Sequence, residues 1–88
     1  MTTADLGKGA WFSMTIPLSY RKIADDIADR IAMGEYPPGS KIPSYRQLSA
    51  LYSVSISTAQ RAVMALEERG EVIGVPGRGV FVREDRPG

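Results

Sequence analysis

The sequence contains neither cysteine nor histidine. Without cysteine there can be no disulfide and no thiolate metal site, and this composition is typical of a cytoplasmic protein. Without histidine, zinc sites and general acid–base catalysis lose their usual residue. We therefore expect a protein that is not an enzyme, with no catalytic residues, no metal site and no cofactor.

Long apolar stretches are also absent. No run approaches the roughly 18 residues of a membrane-spanning helix, and Met1–Asp5 lacks the features of a secretory signal. A chain of 88 residues limits the fold to one small domain, with little room for an enclosed pocket. We expect no contact with membranes and no small-molecule effector site within this chain.

The net charge of +1 is too small to indicate a nucleic-acid partner by itself, but the charges are unevenly distributed. Residues 1–39 carry four basic against five acidic residues, and residues 41–83 carry six against three. The six are Lys41, Arg46, Arg61, Arg69, Arg78 and Arg83. Arginine suits bidentate contacts with phosphate and guanine, so the second half favours an anionic partner.

Helical periodicity marks two segments in the first part of the chain. The first helix is predicted from about Ser19 to Met33, with isoleucines every four residues at 23, 27 and 31 and Gly34 after its end. The second begins after Ser44, which forms an S-x-x-Q capping box with Gln47. It is predicted to end near Tyr52, with an apolar side formed by Leu48, Leu51 and Tyr52.

A third helix is predicted after a tight connection, residues 53–55, and runs to about Arg69 before Gly70. Its buried side is expected to consist of Ala59, Ala62, Val63 and Leu66. The opposite side carries Ser57, Gln60, Arg61 and Met64.

The period then changes from helix to strand. Val72-Ile73 and Val80-Phe81-Val82 predict a two-stranded hairpin whose tip is the glycine-rich segment 74–79. Lys41-Ile42 is long enough for one short bridge strand. The predicted fold is α+β, mainly α: a winged helix-turn-helix of three helices and a C-terminal β-hairpin wing.

The predicted elements divide the chain into a flexible N-terminal arm (1–18), the winged helix-turn-helix (19–83) and a C-terminal tail (84–88). The arm contains one aromatic pair, Trp11-Phe12, which either docks on the domain or belongs to a disordered segment. The pair is also the best candidate for the contact of a weak homodimer.

Three features of this arrangement point to double-stranded DNA. Helix 3 presents hydrogen-bonding side chains near its N-terminus and no acidic residue before Glu67, as a helix in the major groove requires. The start of helix 2, at Ser44 and Arg46, offers backbone N–H groups and a cation to phosphate. Arg78, between two glycines at the hairpin tip, suits a minor groove.

Several stretches resemble the DNA-binding domain of GntR-type transcription regulators. The most specific run is Gly34-Glu35-Tyr36-Pro37-Pro38-Gly39-Ser40-Lys41-Ile42-Pro43-Ser44 with Arg46-Gln47-Leu48. Tyr20-Arg21-Lys22-Ile23-Ala24, Val54-Ser55, Ala65-Leu66-Glu67 and residues 77–82 also match. The resemblance implies a bacterial DNA-binding regulator, which we expect to be a repressor.

The resemblance implies contacts from the start of helix 2, the face of helix 3 and the wing. Together with the residue pattern it gives the DNA-binding set Ser44, Tyr45, Arg46, Ser55, Ser57, Thr58, Gln60, Arg61, Gly77, Arg78 and Gly79. Three positions depart from the family: Ile56 stands where an arginine is common, and Ala59-Gln60 replace a common Val-Arg pair. We therefore expect a different operator from the family's usual one.

Other possibilities remain open at this stage. Family members usually carry a C-terminal effector domain, so the chain is either an excised DNA-binding domain or a short stand-alone regulator. A palindromic operator would need two copies with centres about 34–36 Å apart. The alternative function is a protein-interaction adaptor without specific DNA readout, using Met64 and the Trp11-Phe12 pair as its contact patch.

Overall fold

The computed structural model describes residues 19–85. Within them, three helices are followed by a two-stranded antiparallel sheet. The elements are α1 (Tyr20–Ala32), α2 (Tyr45–Tyr52), α3 (Ile56–Glu68), β1 (Val72–Val75) and β2 (Gly79–Val82). The predicted winged helix-turn-helix is confirmed, whereas the predictions for the arm, with its Trp11-Phe12 pair, lie outside the described residues.

A serine fixes the start of each helix. Ser19 accepts a hydrogen bond from the backbone N–H of Lys22, and Ser55 accepts one from Thr58. Ser44 forms the full capping box: its Oγ accepts from Gln47, whose Oε1 accepts from the Ser44 N–H at 2.8 Å. Because these bonds satisfy backbone donors that the first helical turn leaves unpaired, the sequence determines the three boundaries locally.

Helix α3 is the centre of the core. It packs against α1, α2 and β1, and its four predicted inward residues, Ala59, Ala62, Val63 and Leu66, have no exposed surface. Two of them are alanines, which leave little side chain between α3 and its neighbours. The rest of the core comes from Ile23, Ala24, Ile27, Ile31, Ile42, Leu48, Val72 and Val82.

The prediction for Leu51 was wrong. Leu48 is completely buried, but Leu51 is 55% exposed. Helix α2 has only eight residues and packs mainly against α3. One such contact covers the side of the helix that carries Leu48 and leaves Leu51, three residues further along, in solvent.

The wing is longer than its sequence pattern indicated. Residues 74–79 were expected to form the tip, but β1 continues to Val75 and β2 starts at Gly79, where the two residues pair. The turn therefore consists of Pro76, Gly77 and Arg78. The glycines at both ends had suggested a loop, yet the antiparallel hydrogen bonds extend through them.

The predicted bridge strand is confirmed as a single bridge between Lys41 and Phe81. Backbone hydrogen bonds link the adjoining residues to β2: Gly39 N–H to Val82 O, Val82 N–H to Ser40 O and Ile42 N–H to Val80 O, at 2.8–2.9 Å. The α1–α2 loop is thereby attached to the wing. Because Ser44 follows this loop directly, the start of α2 lies beside the wing.

A second link joins α1 to the end of α2. The Tyr52 hydroxyl donates to Asp26 Oδ2 at 2.6 Å, and the same oxygen accepts from Arg30 Nε at 2.9 Å. These two hydrogen bonds hold the pKa of Asp26 below its ordinary value of 3.8, and the bond from Tyr52 has the larger effect. Burial, and then the hydrogen bond to Asp26, raise the pKa of Tyr52.

We predict that Tyr52→Phe lowers the free energy of unfolding by about 1 kcal/mol, because a neutral donor to a partly exposed carboxylate is lost. The folded state favours ionised Asp26 and neutral Tyr52. This stabilisation is therefore complete between about pH 4 and about pH 10. It decreases below that range as Asp26 is protonated and above it as Tyr52 ionises. Urea unfolding at a series of pH values measures both effects.

Tyr45→Phe is the matched control, because the Tyr45 hydroxyl has no hydrogen-bond partner among residues 19–85. This variant should leave the unfolding free energy within about 0.5 kcal/mol of the parent. Equal losses from the two substitutions, or an unchanged pH profile in Tyr52→Phe, would contradict the role given to the Tyr52–Asp26 bond.

Candidate nucleic-acid interface

The start of α2 is a capped helix end that keeps free donors. The capping box uses the backbone N–H groups of Ser44 and Gln47. The N–H groups of Tyr45 and Arg46, which lie between them, have no acceptor among the described residues. The Arg46 side chain is exposed beside them. This end of α2 can therefore bind an oxygen anion with two backbone donors and a guanidinium.

The outward side of α3 is polar over its first two turns, as predicted. Ser57, Gln60 and Arg61 are exposed, and Thr58 is half-buried. Ser55 is engaged locally: its Oγ accepts from the Thr58 N–H and donates to Thr58 Oγ1, both at 3.0 Å. Ser57 and Gln60 therefore remain as the hydrogen-bonding side chains that this end of the helix offers to a ligand.

On α3, the Arg61 side chain lies over the aromatic ring of Tyr20. Its guanidinium carbon lies 4.8 Å from the centroid of the Tyr20 ring, and that of Arg21 lies 5.6 Å from the same centroid. Both distances fall in the range of cation–π contacts. Arg61 thus lies at the edge of α3 that faces α1.

The tip of the wing is a tight turn of defined geometry. Pro76 precedes Gly77, which has a φ of +76°, and the Arg78 N–H donates to Val75 O at 2.9 Å. Proline followed by a residue with positive φ and closed by this hydrogen bond is the pattern of a type II turn. No atom lies within 4 Å of the position where a Cβ on Gly77 would be. The turn is therefore open to solvent and presents the exposed Arg78 side chain.

The wing and the start of α2 border one open groove. Of the predicted site residues, Ser44, Tyr45, Gly77, Arg78 and Gly79 line it. Arg46, Ser55 and the predicted residues of α3 do not. Lys41 lines the same groove, with its side chain passing over Gly79. A Cβ on Gly79 would lie 2.6 Å from Lys41 Cε, so the glycine leaves the space that the lysine uses.

The cations of the described residues fall into two groups. Arg30, Arg69 and Arg83 form ion pairs with carboxylates at 2.9–3.0 Å. Arg61 and Arg21 form no ion pair among residues 19–85, but each has a cation–π contact with the Tyr20 ring. Among residues 19–85, Lys22, Lys41, Arg46 and Arg78 have neither kind of partner. Three of these four lie at the start of α2 or along the groove that this helix shares with the wing.

Two residues of this surface were not predicted as site residues. Lys41 had been counted among the basic residues and assigned to the bridge strand, and Tyr20 had been matched to a stretch of the family. Each owes its place to a contact between segments far apart in the sequence: Lys41 with Gly79, and Tyr20 with Arg61. The available signal was weak, namely a lysine in an arginine-rich half and an aromatic residue at a helix start.

Comparison with known proteins identifies the family. The sequence profile described as "Bacterial regulatory proteins, gntR family" matches residues 19–82. The chain belongs to the GntR family. Its winged helix-turn-helix is the DNA-binding domain of these transcription regulators.

Curated relatives agree with this assignment. The chain is 37% identical over 67 residues to the mannosyl-D-glycerate transport/metabolism system repressor MngR of Escherichia coli K12. It is 42% identical over 65 residues to the HTH-type transcriptional regulator YjiR of the same organism. These matches cover 76% and 74% of this chain but only 28% and 14% of the relatives. The chain therefore corresponds to a small part of each.

Solved structures share the fold. A GntR family regulator from Listeria monocytogenes superposes with a TM-score of 0.72 at 36% identity, covering 75% of this chain and 58% of that one. The DNA-binding domain of AraR in complex with operator ORR3 superposes with a TM-score of 0.69 at 30% identity. That match covers 76% of this chain and 89% of the AraR domain.

Two other kinds of site are absent from the described part of the chain. None of its helices combines the length and the apolar character needed to cross a membrane. Residues 19–85 also contain no group of three or more histidine, cysteine, aspartate or glutamate side chains placed to hold a metal ion.

We predict that Lys41→Met weakens DNA binding without changing stability. Methionine keeps an unbranched stem over Gly79 but removes the charge from the groove. If Lys41 contacts a phosphate, affinity should fall for every duplex, and the slope of log K against log[salt] should become shallower by about one. Fluorescence anisotropy over a range of salt concentrations measures both quantities.

Lys41→Arg, which keeps the charge, is the matched control and should retain the parent slope. Thermal unfolding should give the same midpoint for all three proteins. If Lys41→Met binds with the parent affinity and slope, Lys41 is not part of the interface.

Proposed function

We propose that this chain is a sequence-specific repressor that binds double-stranded DNA, with α3 in the major groove and Arg78 of the wing in the minor groove. The observation that carries the proposal is the grouping of unpaired cations at the wing and the start of α2, while Arg30, Arg69 and Arg83 are neutralised by carboxylates. An extended polyanion fits such a surface, and the family supplies the class of partner.

Base reading is assigned to the first two turns of α3. Recognition helices contact base edges with residues near their N-terminus. Gln60 is exposed there and can pair with adenine, and the exposed Ser57 suits either a base or a phosphate. Because the inward side of α3 is fixed by the core, these side chains are held on a rigid support.

The wing and α2 are assigned to the flanking backbone and groove. The turn at Pro76 and Gly77 presents one long side chain, and a guanidinium is attracted to the negative potential of a narrow minor groove. The free N–H groups of Tyr45 and Arg46 suit a phosphate oxygen. Such backbone contacts orient α3, and the sequence information comes from α3 itself.

The operator is proposed to be palindromic, because one domain of this size covers only a half-site. Two copies would bind with their centres about 34–36 Å apart, through weak association on DNA. Repression is proposed because the relative MngR is named a repressor, and a protein bound across a promoter obstructs the polymerase.

Selection of bound sequences from random duplex DNA tests the proposal. We predict an enriched motif with two-fold symmetry. Arg78→Ala and Gln60→Ala should each cost about 1–3 kcal/mol of binding free energy, with Gln60→Ala relaxing one position of the motif. A reporter gene placed behind the selected site should be expressed less when the chain is present.

If the folded protein enriches no motif, specific readout is wrong and the adaptor function becomes the better one. In that case partners would survive nuclease treatment in a pull-down. Of the patch considered for an adaptor, Trp11 and Phe12 lie outside the described residues, while Met64 is 55% exposed on α3.

Ile56 is proposed to contribute an apolar contact to base recognition. It is the first residue of α3, where the family commonly has arginine, and it is 42% exposed. An apolar side chain at this end of a recognition helix suits the methyl group of thymine. We therefore expect Ile56 to favour a thymine in the selected motif.

Deoxyuridine substitution tests this contact, since uracil differs from thymine only by that methyl group. Replacing the relevant thymine should weaken binding by about 0.8 kcal/mol, or about fourfold. The same replacement should not change the affinity of the Ile56→Ala variant for the duplex. Deoxyuridine at other thymine positions of the motif serves as the control. Equal sensitivity of Ile56→Ala and the parent would contradict the assignment.

A further inference from the structure

We propose that Tyr20 is a positioning residue that holds Arg61 at the α1 edge of α3, where Arg61 binds a backbone phosphate instead of a base. This inference rests on the proposed function, because it assumes that the face of α3 meets DNA. It assigns Tyr20 a part in binding, and it gives Arg61, one of the predicted DNA-binding residues, a phosphate contact rather than a base contact.

The ring of Tyr20 is a fixed support. Tyr20 is the first residue of α1, half-buried and packed against the core. The Arg61 guanidinium carbon lies 4.8 Å from its ring centroid. A guanidinium held against a half-buried aromatic ring that packs on the core keeps less conformational freedom than a free arginine, so less entropy is lost when it binds an anion.

The location of the contact determines what Arg61 can reach. The hollow around it is lined by Tyr20, Arg61, Met64, Ala65 and Glu68. Apart from Arg61 itself, its α3 residues follow Arg61 in the chain, whereas the base-reading positions Ser57 and Gln60 precede it. Arg61 therefore lies beside the reading face, where a DNA strand would pass over the junction of α1 and α3.

The charge at this junction favours an anion. Arg21 approaches the same ring, with its guanidinium carbon 5.6 Å from the centroid. Neither arginine forms an ion pair within 4.0 Å among residues 19–85, although Glu68 lines the hollow. Two like charges around one ring repel each other, and a phosphate between or beside them would offset that repulsion.

The experiment uses the full 88-residue chain. Affinity for the selected duplex and for a scrambled duplex is measured over a range of salt for Arg61→Ala, Tyr20→Phe and Tyr20→Leu, and the selection is repeated with Arg61→Ala. Arg61→Ala should weaken binding to both duplexes by the same factor, roughly tenfold, and make the salt slope shallower by about one. The selected motif should not change.

The Tyr20 variants separate positioning from folding. Tyr20→Phe keeps the ring and should bind like the parent. Tyr20→Leu should weaken binding, but it should have no further effect in an Arg61→Ala background, because its effect passes through Arg61. Thermal unfolding of each variant reports stability independently.

Three results would overturn the inference. Relaxed preference at one base position in Arg61→Ala, with an unchanged salt slope, would show that Arg61 reads a base. Equal losses from Tyr20→Leu with and without Arg61 would make Tyr20 merely structural. Absence of binding to any duplex would overturn the proposed function as well, which distinguishes the two failures.

Discussion

The burial of one side of α3 determines the rest of the structure. Ala59, Ala62, Val63 and Leu66 have no exposed surface and face three neighbouring elements. A helix enclosed in this way on one side must present its other side to solvent. Over the first two turns, the side chains there include Ser57, Gln60 and Arg61, none of which forms an ion pair among residues 19–85.

A second constraint acts through the backbone. The hydrogen bonds between residues 39–42 and β2 join the α1–α2 loop to the wing. They bring Lys41 and the start of α2 beside Arg78, which is far away in the sequence. Because main-chain groups make these bonds, the exposed side chains along the groove can vary without loss of the link. Gly77 and Gly79 are exceptions, since both have positive φ and the missing Cβ of Gly79 leaves space for Lys41.

The sequence predicted what depends on local pattern. The isoleucine period of α1, the capping box at Ser44 and the inward stripe of α3 all appear in the structure as expected. The burial of Leu51 was predicted wrongly because helical periodicity does not show how much of the surface of α2 the neighbouring helix covers. The strand residues at the wing tip were misjudged because glycine indicates a turn more strongly than it indicates pairing.

For a related reason, the sequence did not predict the tertiary contacts between side chains. Nothing local to Tyr20 or Arg61 indicates that the two meet, since their contact depends on how α1 crosses α3. The same holds for Tyr52 and Asp26, which lie on different helices. Such contacts are visible only once the packing of the helices is known, and here they distinguish side chains that stabilise the domain from side chains that remain available to a partner.

The net charge of +1 does not show which cations are paired within the domain and which remain available to a partner. Surface ion pairs neutralise some of the cations, as Asp25 neutralises Arg69, and leave Lys41, Arg46 and Arg78 without a counter-charge among the described residues. In the free protein, solvent ions screen these three side chains. A bound polyanion replaces the ions around both surfaces and releases those condensed on the DNA. In the proposed complex, the binding free energy would therefore depend on the few cations left unpaired, and so on the tertiary structure, more than on the composition of the chain.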